Sequence, residues 1–207
     1  MTGIIDYGVG NLFSLKSSFE AIGAETFVSG NPAVLARADR LVLPGVGAFG
    51  DAADKLRATG LDHFVRDRAA KGVPLLGICL GMQLLFEKGY EYGEHEGLGL
   101  LKGRVVPMAD YLPRGLKIPH MGWNGLHRCR PDSRLLADTA EGDFVYFVHS
   151  YFAADCEESL AATAEYGIPI TAAVEQGNIF GCQFHPEKSG ETGLKILRAF
   201  CGLEANK

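Results

Sequence analysis

The sequence has few cysteines, and they lack the pairing of a disulfide framework or a structural zinc site. The 207 residues include five cysteines, an odd number, and no two of them form a Cys-x-x-Cys pair. Disulfide-rich secreted domains and structural zinc sites both depend on regularly spaced cysteines. Both classes are therefore disfavoured, and we expect a reducing, cytoplasmic location.

Long basic runs and long apolar runs are also missing. Twenty Lys and Arg stand against 25 Asp and Glu, which gives a formal net charge of −5, and no long run of Lys and Arg occurs. This composition argues against a surface for nucleic acid or for an anionic membrane. No apolar segment reaches the roughly 20 residues of a membrane span, so we expect neither nucleic acid nor membrane among the partners.

Apolar, β-branched runs alternate with amphipathic stretches in the first half of the chain. The pattern predicts strands at 3–6, 40–44 and 73–79, and helices at 11–23, 51–72 with a break at Gly60, and 81–89. Such alternation predicts an α/β fold with a mostly parallel sheet. The second half has shorter alternating runs, which are expected to extend the sheet and add an antiparallel region. A helix over 190–203 closes a single domain of residues 1–207.

The stretch GVGAFG, from Gly45 to Gly50, matches the Gly-x-Gly-x-x-Gly turn of dinucleotide-binding folds. That fingerprint also needs an acidic residue about 20 residues on, at the end of the next strand, to bind the ribose. The next predicted strand ends instead in Cys79. The glycine-rich stretch therefore needs a different explanation.

Cys79 lies in GICLG, a Gly-x-Cys-x-Gly segment between a predicted strand and a predicted helix. This is the context of a nucleophile elbow, in which small neighbours allow a strained turn that presents the nucleophile at the carboxyl end of the sheet. A buried core cysteine is the alternative, and the local pattern does not decide between the two.

A base for such a nucleophile is available in QFHPEKS, residues 183–189. His185 and Glu187 lie two residues apart, and in an extended segment both project from one face. Cys79 would attack, His185 would transfer the proton, and Glu187 would hold the imidazole tautomer. His149, at the end of another apolar run, is the competing base. No His-Glu-x-x-His or similar spacing is present, so no metal is expected.

Covalent acyl chemistry also needs an oxyanion hole built from backbone N–H groups. The amide of Leu80, directly after the nucleophile, is one candidate donor. The second is expected from the loop at Val46 and Gly47. Because glycine tolerates positive φ, Gly45 and Gly47 would leave the Val46 peptide free to turn.

Six segments together resemble the class I glutamine amidotransferases, which use a Cys–His–Glu triad. They are DYGVGN, LPGVGAFGD, GICLGMQLLF, PHMGWN, YFVHSY and FHPEKS, in that order along the chain. The resemblance runs from about Gly3 to Phe200 and implies a flavodoxin-like open sheet with helices on both faces. It is strongest to those glutaminase subunits of the family that serve histidine biosynthesis.

The resemblance implies that L-glutamine is hydrolysed to glutamate and ammonia through a thioester on Cys79, without a cofactor. The ammonia would pass to a separate cyclase subunit, a (β/α)8 barrel in a heterodimer, which forms imidazole glycerol phosphate and AICAR. The resemblance also assigns substrate contacts to Gln83, Glu91, Ser150 and Tyr151. His149 then becomes a structural histidine.

For the partner surface the same resemblance points to Asn11, Trp123, Asn124, Tyr146 and Lys188. Trp123 is the only tryptophan; the alternative for it is a core position, and for Lys188 a solvated side chain. Two other functions stay open from the residues. The chain could be a class I glutaminase for a pyridoxal phosphate or nucleotide pathway, or a catalytically silent scaffold subunit.

Overall fold

The computed structural model describes residues 1–203. Its strands are β1 (Thr2–Ile5), β2 (Thr26–Ser29), β3 (Arg40–Leu43), β4 (Leu75–Ile78), β5 (Phe86–Gly89), β6 (His95–Glu96), β7 (Leu101–Pro107), β8 (His120–Gly125), β9 (His127–Arg128), β10 (Phe144–His149), β11 (Tyr151–Ala154), β12 (Leu160–Glu165), β13 (Pro169–Gln176) and β14 (Ile179–Cys182). Its α-helices are α1 (Leu12–Ala21), α2 (Pro32–Leu35), α3 (Phe49–Ala58), α4 (Leu61–Ala70), α5 (Leu80–Gln83) and α6 (Gly190–Gly202).

One large sheet carries the fold. Its strand order is β2-β1-β3-β4-β14-β13-β12-β9. The first five strands run parallel, and β13, β12 and β9 continue the sheet in antiparallel pairing. The order of the parallel part is that of a flavodoxin-like sheet. The predicted α/β class and the predicted antiparallel addition are both confirmed.

Helices cover both faces of this sheet. On one face, Leu15 and Phe19 of α1 pack with Phe200 of α6 in one apolar core. On the other face, Leu56 of α3 and Val65 of α4 belong to a second core. The apolar runs of β1, β3, β4 and β14 are buried, as expected for a sheet between two helical layers, whereas the edge strand β2 is half-buried.

The helix predicted over residues 81–89 is wrong in its second half. Helix α5 ends at Gln83, and Phe86–Gly89 forms strand β5, which pairs with β6 and β7 in a separate four-stranded sheet. Gly89 lies so close to the Phe49 ring that a Cβ atom there would be 2.6 Å from it. Pairing with strands later in the chain overrides the local helical pattern.

Four other elements were not predicted: β2, α2, β6 and β8. Strand β8 contains most of the PHMGWN segment and pairs with β10, which contains part of YFVHSY. These two segments of the family resemblance therefore form one hairpin-like sheet beside the main one. Within residues 1–203, no helix is long and apolar enough to cross a membrane.

Candidate active site

Cys79 occupies a sharp turn between β4 and α5. Its backbone has φ 53° and ψ −111°, an unusual conformation for a residue other than glycine. The Cys79 amide donates to the carbonyl of Cys182 at 2.8 Å, which ties the turn to the neighbouring strand β14. Leu80 is the first residue of α5, so its N–H has no partner within the helix. The turn thus has the strained geometry expected of a nucleophile elbow.

The glycines on either side of this turn are required by space. A Cβ atom on Gly81 would lie 1.8 Å from the carbonyl oxygen of Leu43, at the end of strand β3. A Cβ atom on Gly77 would lie 2.6 Å from the carbonyl oxygen of Gly81. The elbow is therefore packed against the neighbouring backbone with no room for a larger side chain.

His185 and Glu187 form a buried pair beside the elbow. A short 3-10 turn, Pro186–Lys188, brings the carboxylate back to the ring, and His185 Nδ1 lies 2.8 Å from Glu187 Oε1. The two side chains are only 6% and 4% exposed. Burial by itself lowers the pKa of His185, but interaction with Cys79 and Glu187 outweighs it and raises the pKa. Because Nδ1 is engaged by Glu187, Nε2 is the ring nitrogen that is left to interact with the sulfur of Cys79.

A cleft of about 340 Å³ opens over Cys79. Nine of the predicted site residues line it: Val46, Gly47, Cys79, Leu80, Gln83, Glu91, Ser150, Tyr151 and His185. Pro119, Val148 and His149 complete the lining, and Glu187 contacts the ring of His185. The structure therefore brings the predicted catalytic, oxyanion and substrate residues together at one edge of the sheet.

The glycine-rich loop lies against the elbow, but Gly45 and Gly47 serve different needs. A Cβ atom on Gly45 would be 2.8 Å from the amide nitrogen of Gly81, so Gly45 is needed for close approach. Only Gly47 has a positive φ, +93°. The expectation that both glycines free the Val46 peptide by their φ is thus wrong for Gly45. The Tyr7 hydroxyl holds the start of this loop by donating to Pro44 O at 2.8 Å.

Glu91 connects the cleft to the end of the same loop. Its Oε2 accepts the backbone N–H of Phe49 at 2.7 Å, at the start of α3, where Ala48 provides no side-chain cap. A carboxylate there satisfies an otherwise open helical donor. This contact leaves Oε1 of Glu91 available to the cleft.

Gln83 uses both of its amide protons within the chain. Nε2 donates to the Tyr151 carbonyl at 3.0 Å and to Gln183 Oε1 at 2.9 Å. Because a primary amide has two protons, only the oxygen of Gln83 remains for a ligand. Gln183 is completely buried. Sequence reasoning missed it, although it lies only two residues before His185.

Three residues predicted for the partner surface form a surface cluster, in which Trp123 and Lys188 are exposed and Tyr146 is half-buried. Trp123 on β8 is 54% exposed, and its ring meets that of Tyr146 on β10 edge-on at 6.0 Å. Lys188 Nζ lies 5.9 Å from the centre of the Tyr146 ring. Tyr146 also accepts the backbone N–H of His185 at 2.9 Å, so this surface is connected directly to the predicted base.

The two predicted asparagines are engaged within the chain. Asn11 caps α1 by accepting the N–H of Ser14. Asn124 Nδ2 donates to the carbonyl of Glu165 at 2.8 Å and approaches His120 Nε2 at 3.4 Å. Both amide protons of Asn124 are therefore used internally.

Among residues 1–203, no group of three His, Cys, Asp or Glu side chains is arranged to hold a metal ion.

Comparison with known proteins assigns the family. The model of the family "Glutamine amidotransferase class-I" matches residues 3–202. The chain belongs to this family. The family inferred from the six sequence segments is confirmed, and with it the enzyme class, glutamine amidotransferase.

Curated amidotransferase subunits resemble the chain over its whole length. The "Imidazole glycerol phosphate synthase subunit HisH" of Bacillus licheniformis is 54% identical, covering 97% of this chain and 95% of the relative. The subunit of the same name from Aquifex aeolicus is 51% identical, covering 96% and 95%. The fold also matches PurLQS from Thermotoga maritima, with a TM-score of 0.75 at 22% identity over 96% of each chain.

His149 lines the amidotransferase cleft, and its two nitrogens have fixed roles. Nδ1 lies 2.8 Å from the Tyr151 carbonyl and must donate to it. Nε2 therefore accepts, and its partner at 3.0 Å is His120 Nδ1. Burial lowers the pKa of His149 to about 3 and that of His120 to about 4. The geometry suits a neutral structural histidine.

This pair predicts a loss of stability in acid. Below pH 6.5 the unfolded chain protonates His149, whereas the folded chain does not until about pH 3. The free energy of unfolding should therefore fall with decreasing pH, by up to about 1.4 kcal/mol per pH unit from this residue. Urea denaturation between pH 7 and 4 would show a shallower slope in His149→Gln. His63→Gln is the control, because the His63 side chain is 86% exposed; equal slopes in both variants would contradict the assignment.

Proposed function

We propose that this chain is the glutaminase subunit of an imidazole glycerol phosphate synthase. It hydrolyses L-glutamine to glutamate and ammonia, and a separate (β/α)8 cyclase subunit uses the ammonia to make imidazole glycerol phosphate and AICAR. The observation that carries the proposal is the convergence of Cys79 with the His185–Glu187 pair in one cleft. Full-length similarity to HisH subunits supports the choice of this synthase among those served by the family.

The first half of the reaction forms a thioester. The Cys79 sulfur attacks the carboxamide carbon of glutamine, and His185 takes the thiol proton and passes it to the departing nitrogen as ammonia leaves. Glu187 keeps Nδ1 of the ring protonated through the 2.8 Å contact, so Nε2 can accept and return protons. In the second half, His185 removes a proton from water, which attacks the thioester and releases glutamate.

The negative oxygen formed in both halves needs two donors. We assign these to the amides of Leu80 and Val46, with Gly47 as the pivot that allows the Val46 peptide to turn. Gly47 has φ +93° and an added Cβ would meet nothing within 4 Å, which supports such freedom. Docking of the cyclase is proposed to favour the inward orientation. An active complex with the Val46 N–H directed away from Cys79 would refute this.

The remaining cleft residues are assigned to the substrate. The free oxygen of Gln83 accepts from the carboxamide, and Oε1 of Glu91 binds the α-ammonium group. Ser150 and Tyr151 contact the amino-acid end of glutamine. We also propose that residues 1–207 form a single amidotransferase domain and that the protein is cytoplasmic.

The surface cluster of Trp123, Tyr146 and Lys188 is proposed as the centre of the cyclase interface. Trp and Tyr side chains on a protein surface are favoured anchors of interfaces. Lys188 would pair with a carboxylate on the barrel. The backbone contact from Tyr146 to His185 supports a coupling of docking to the base. Asn11 and Asn124 are proposed at the edge of this interface, where they hold the local backbone.

The function is tested by stimulation of glutamate release. The chain is mixed with glutamine alone, and then with a cyclase subunit of a bacterial imidazole glycerol phosphate synthase and its ribonucleotide ligand. We expect a large rise in glutamate release only in the second mixture, with imidazole glycerol phosphate as a second product. Trp123→Ala should lower the affinity for the cyclase about 30-fold. This corresponds to the loss of about 2 kcal/mol of binding free energy, which is typical of an interface anchor.

The matched control is Val34→Ala, since Val34 is also an exposed apolar residue but lies outside the cluster. Equal affinity for the cyclase in both variants would remove Trp123 from the interface. An active glutaminase that no cyclase stimulates would instead point to a different synthase of the same family.

A further inference from the structure

We propose that Gln183 is a catalytic residue that donates a hydrogen bond to the sulfur of Cys79. Its Nε2 lies 3.7 Å from Cys79 Sγ, a usual distance for a donor to sulfur, and its side chain is completely buried. The proposal deepens the function given above, because it concerns the same nucleophile. Gln183 would act on the Cys79 thiolate itself, and it would not contact glutamine or the cyclase.

The backbone holds Gln183 beside the nucleophile. Strands β14 and β4 are parallel neighbours with Cys182 opposite Ile78, so the next residues, Gln183 and Cys79, are adjacent. The Cys79 amide donates to Cys182 O, and the Gln183 amide donates to Ala172 O, each at 2.8 Å. Both residues are thus fixed by sheet hydrogen bonds, and their side chains meet without a mobile segment between them.

A single backbone carbonyl determines which end of the Gln183 amide faces the sulfur. The Tyr151 carbonyl can only accept, so the atom of Gln83 that contacts it must be the nitrogen. That nitrogen also lies 2.9 Å from the Gln183 side chain, which must therefore present its oxygen. The Gln183 nitrogen is consequently the atom turned toward Cys79. A reversed amide would place two acceptors or two donors against each other.

A donor in this place acts on the charged form of the sulfur. A hydrogen bond to a thiolate stabilises it relative to the thiol and raises the fraction of nucleophile at neutral pH. The same bond assists whenever the sulfur departs again, because the leaving group in thioester hydrolysis is a thiolate. No atom is transferred to or from Gln183, so the side chain returns unchanged after each turnover.

Several titratable groups share this environment and would respond to the sulfur's charge. His185 lies on the cleft side, with Glu187 behind it. Burial raises the pKa of Tyr7 and that of Cys182. A negative charge on Cys79 adds to the effect at both groups, after that of Glu187 in the case of Cys182. His185 is the only cation in this set, and Gln183 supplies a neutral donor that does not depend on pH.

Alkylation of Cys79 tests the proposal without requiring glutaminase activity. The full chain is treated with iodoacetamide from pH 5 to 10, and the Cys79 peptide is quantified by mass spectrometry. In Gln183→Met, which keeps side-chain length but removes the donor, the pH midpoint should rise by one to two units. The rate at neutral pH should fall about 10-fold or more, while the plateau at high pH is retained.

Two further variants keep the test decisive. Gln183→Glu preserves the acceptor for Gln83 but presents an acceptor to the sulfur, so its midpoint should rise further than that of Gln183→Met. Gln176→Met repeats the same chemical change at an exposed position and should leave the midpoint unchanged. The proposal would be overturned if a folded Gln183 variant, even one of lower stability, alkylates at Cys79 with the same pH midpoint as the wild type. Inactivity of the wild-type chain on glutamine would instead count against the proposed function.

Discussion

Cys79→Ala should lower glutamate release in the presence of cyclase and its ligand by at least about 10⁴-fold. The variant lacks the only sulfur in the cleft, and no other lining side chain can form the thioester. Because alanine is smaller and Cys79 is 7% exposed, the fold and the cyclase surface should be retained. The rate is measured by a coupled glutamate assay, and cyclase binding by titration calorimetry.

Cys129→Ala provides the matched control, since this cysteine is exposed and away from the cleft; its activity should equal that of the wild type. Retention of glutaminase activity in Cys79→Ala would refute the mechanism. Loss of both activity and cyclase binding would show that the variant had lost its fold, and Cys79→Ser would then replace it.

Gly81→Ala should destabilise the protein and abolish glutaminase activity together. The added Cβ would lie 1.8 Å from Leu43 O and 3.1 Å from the carbonyl carbon of Pro44, both backbone atoms. Either the elbow or the end of β3 must move, and that movement displaces the loop assigned to the oxyanion hole. Overpacking against backbone of this kind costs about 3 kcal/mol or more, so thermal denaturation should show a decrease in Tm of roughly 6–12 °C.

Gly202→Ala makes the same change at the end of α6, where a Cβ would meet nothing within 4 Å. This variant should keep its activity, with a Tm equal to or slightly above that of the wild type. A Gly81→Ala protein with wild-type Tm and activity would show that the backbone relaxes around the methyl group, against the packing argument.

Much of the candidate site could be predicted from local sequence. Cys79 was identified because its flanking glycines permit a strained turn, and those glycines are indeed pressed against neighbouring backbone. His185 and Glu187 were paired because an extended segment places residues two apart on one face. The pair is present at 2.8 Å, but a 3-10 turn over Pro186–Lys188, rather than an extended segment, brings the two side chains together. Such short-range patterns carry their geometry with them, since few backbone conformations are allowed at each residue.

Other features could not be predicted because they depend on residues far away in sequence. Residues 86–89 have a helical pattern but pair with β7, which begins more than ten residues later. Gly45 was assigned a conformational role, whereas its neighbours, Tyr7 and Gly81, require its small size. In each case a contact between distant segments outweighs the local preference.

The sequence by itself determined the α/β class, the elbow at Cys79, the His185–Glu187 pair and the family. These follow from the periodicity of apolar residues, from the small residues that a turn requires, and from motifs that occur in a fixed order along the chain. Only the tertiary structure decided the direction of the buried hydrogen bonds, from the Tyr151 carbonyl through Gln83 to Gln183 and the sulfur. The reason is that an amide side chain can either donate or accept, and its orientation is set by partners 68 to 104 residues away in sequence.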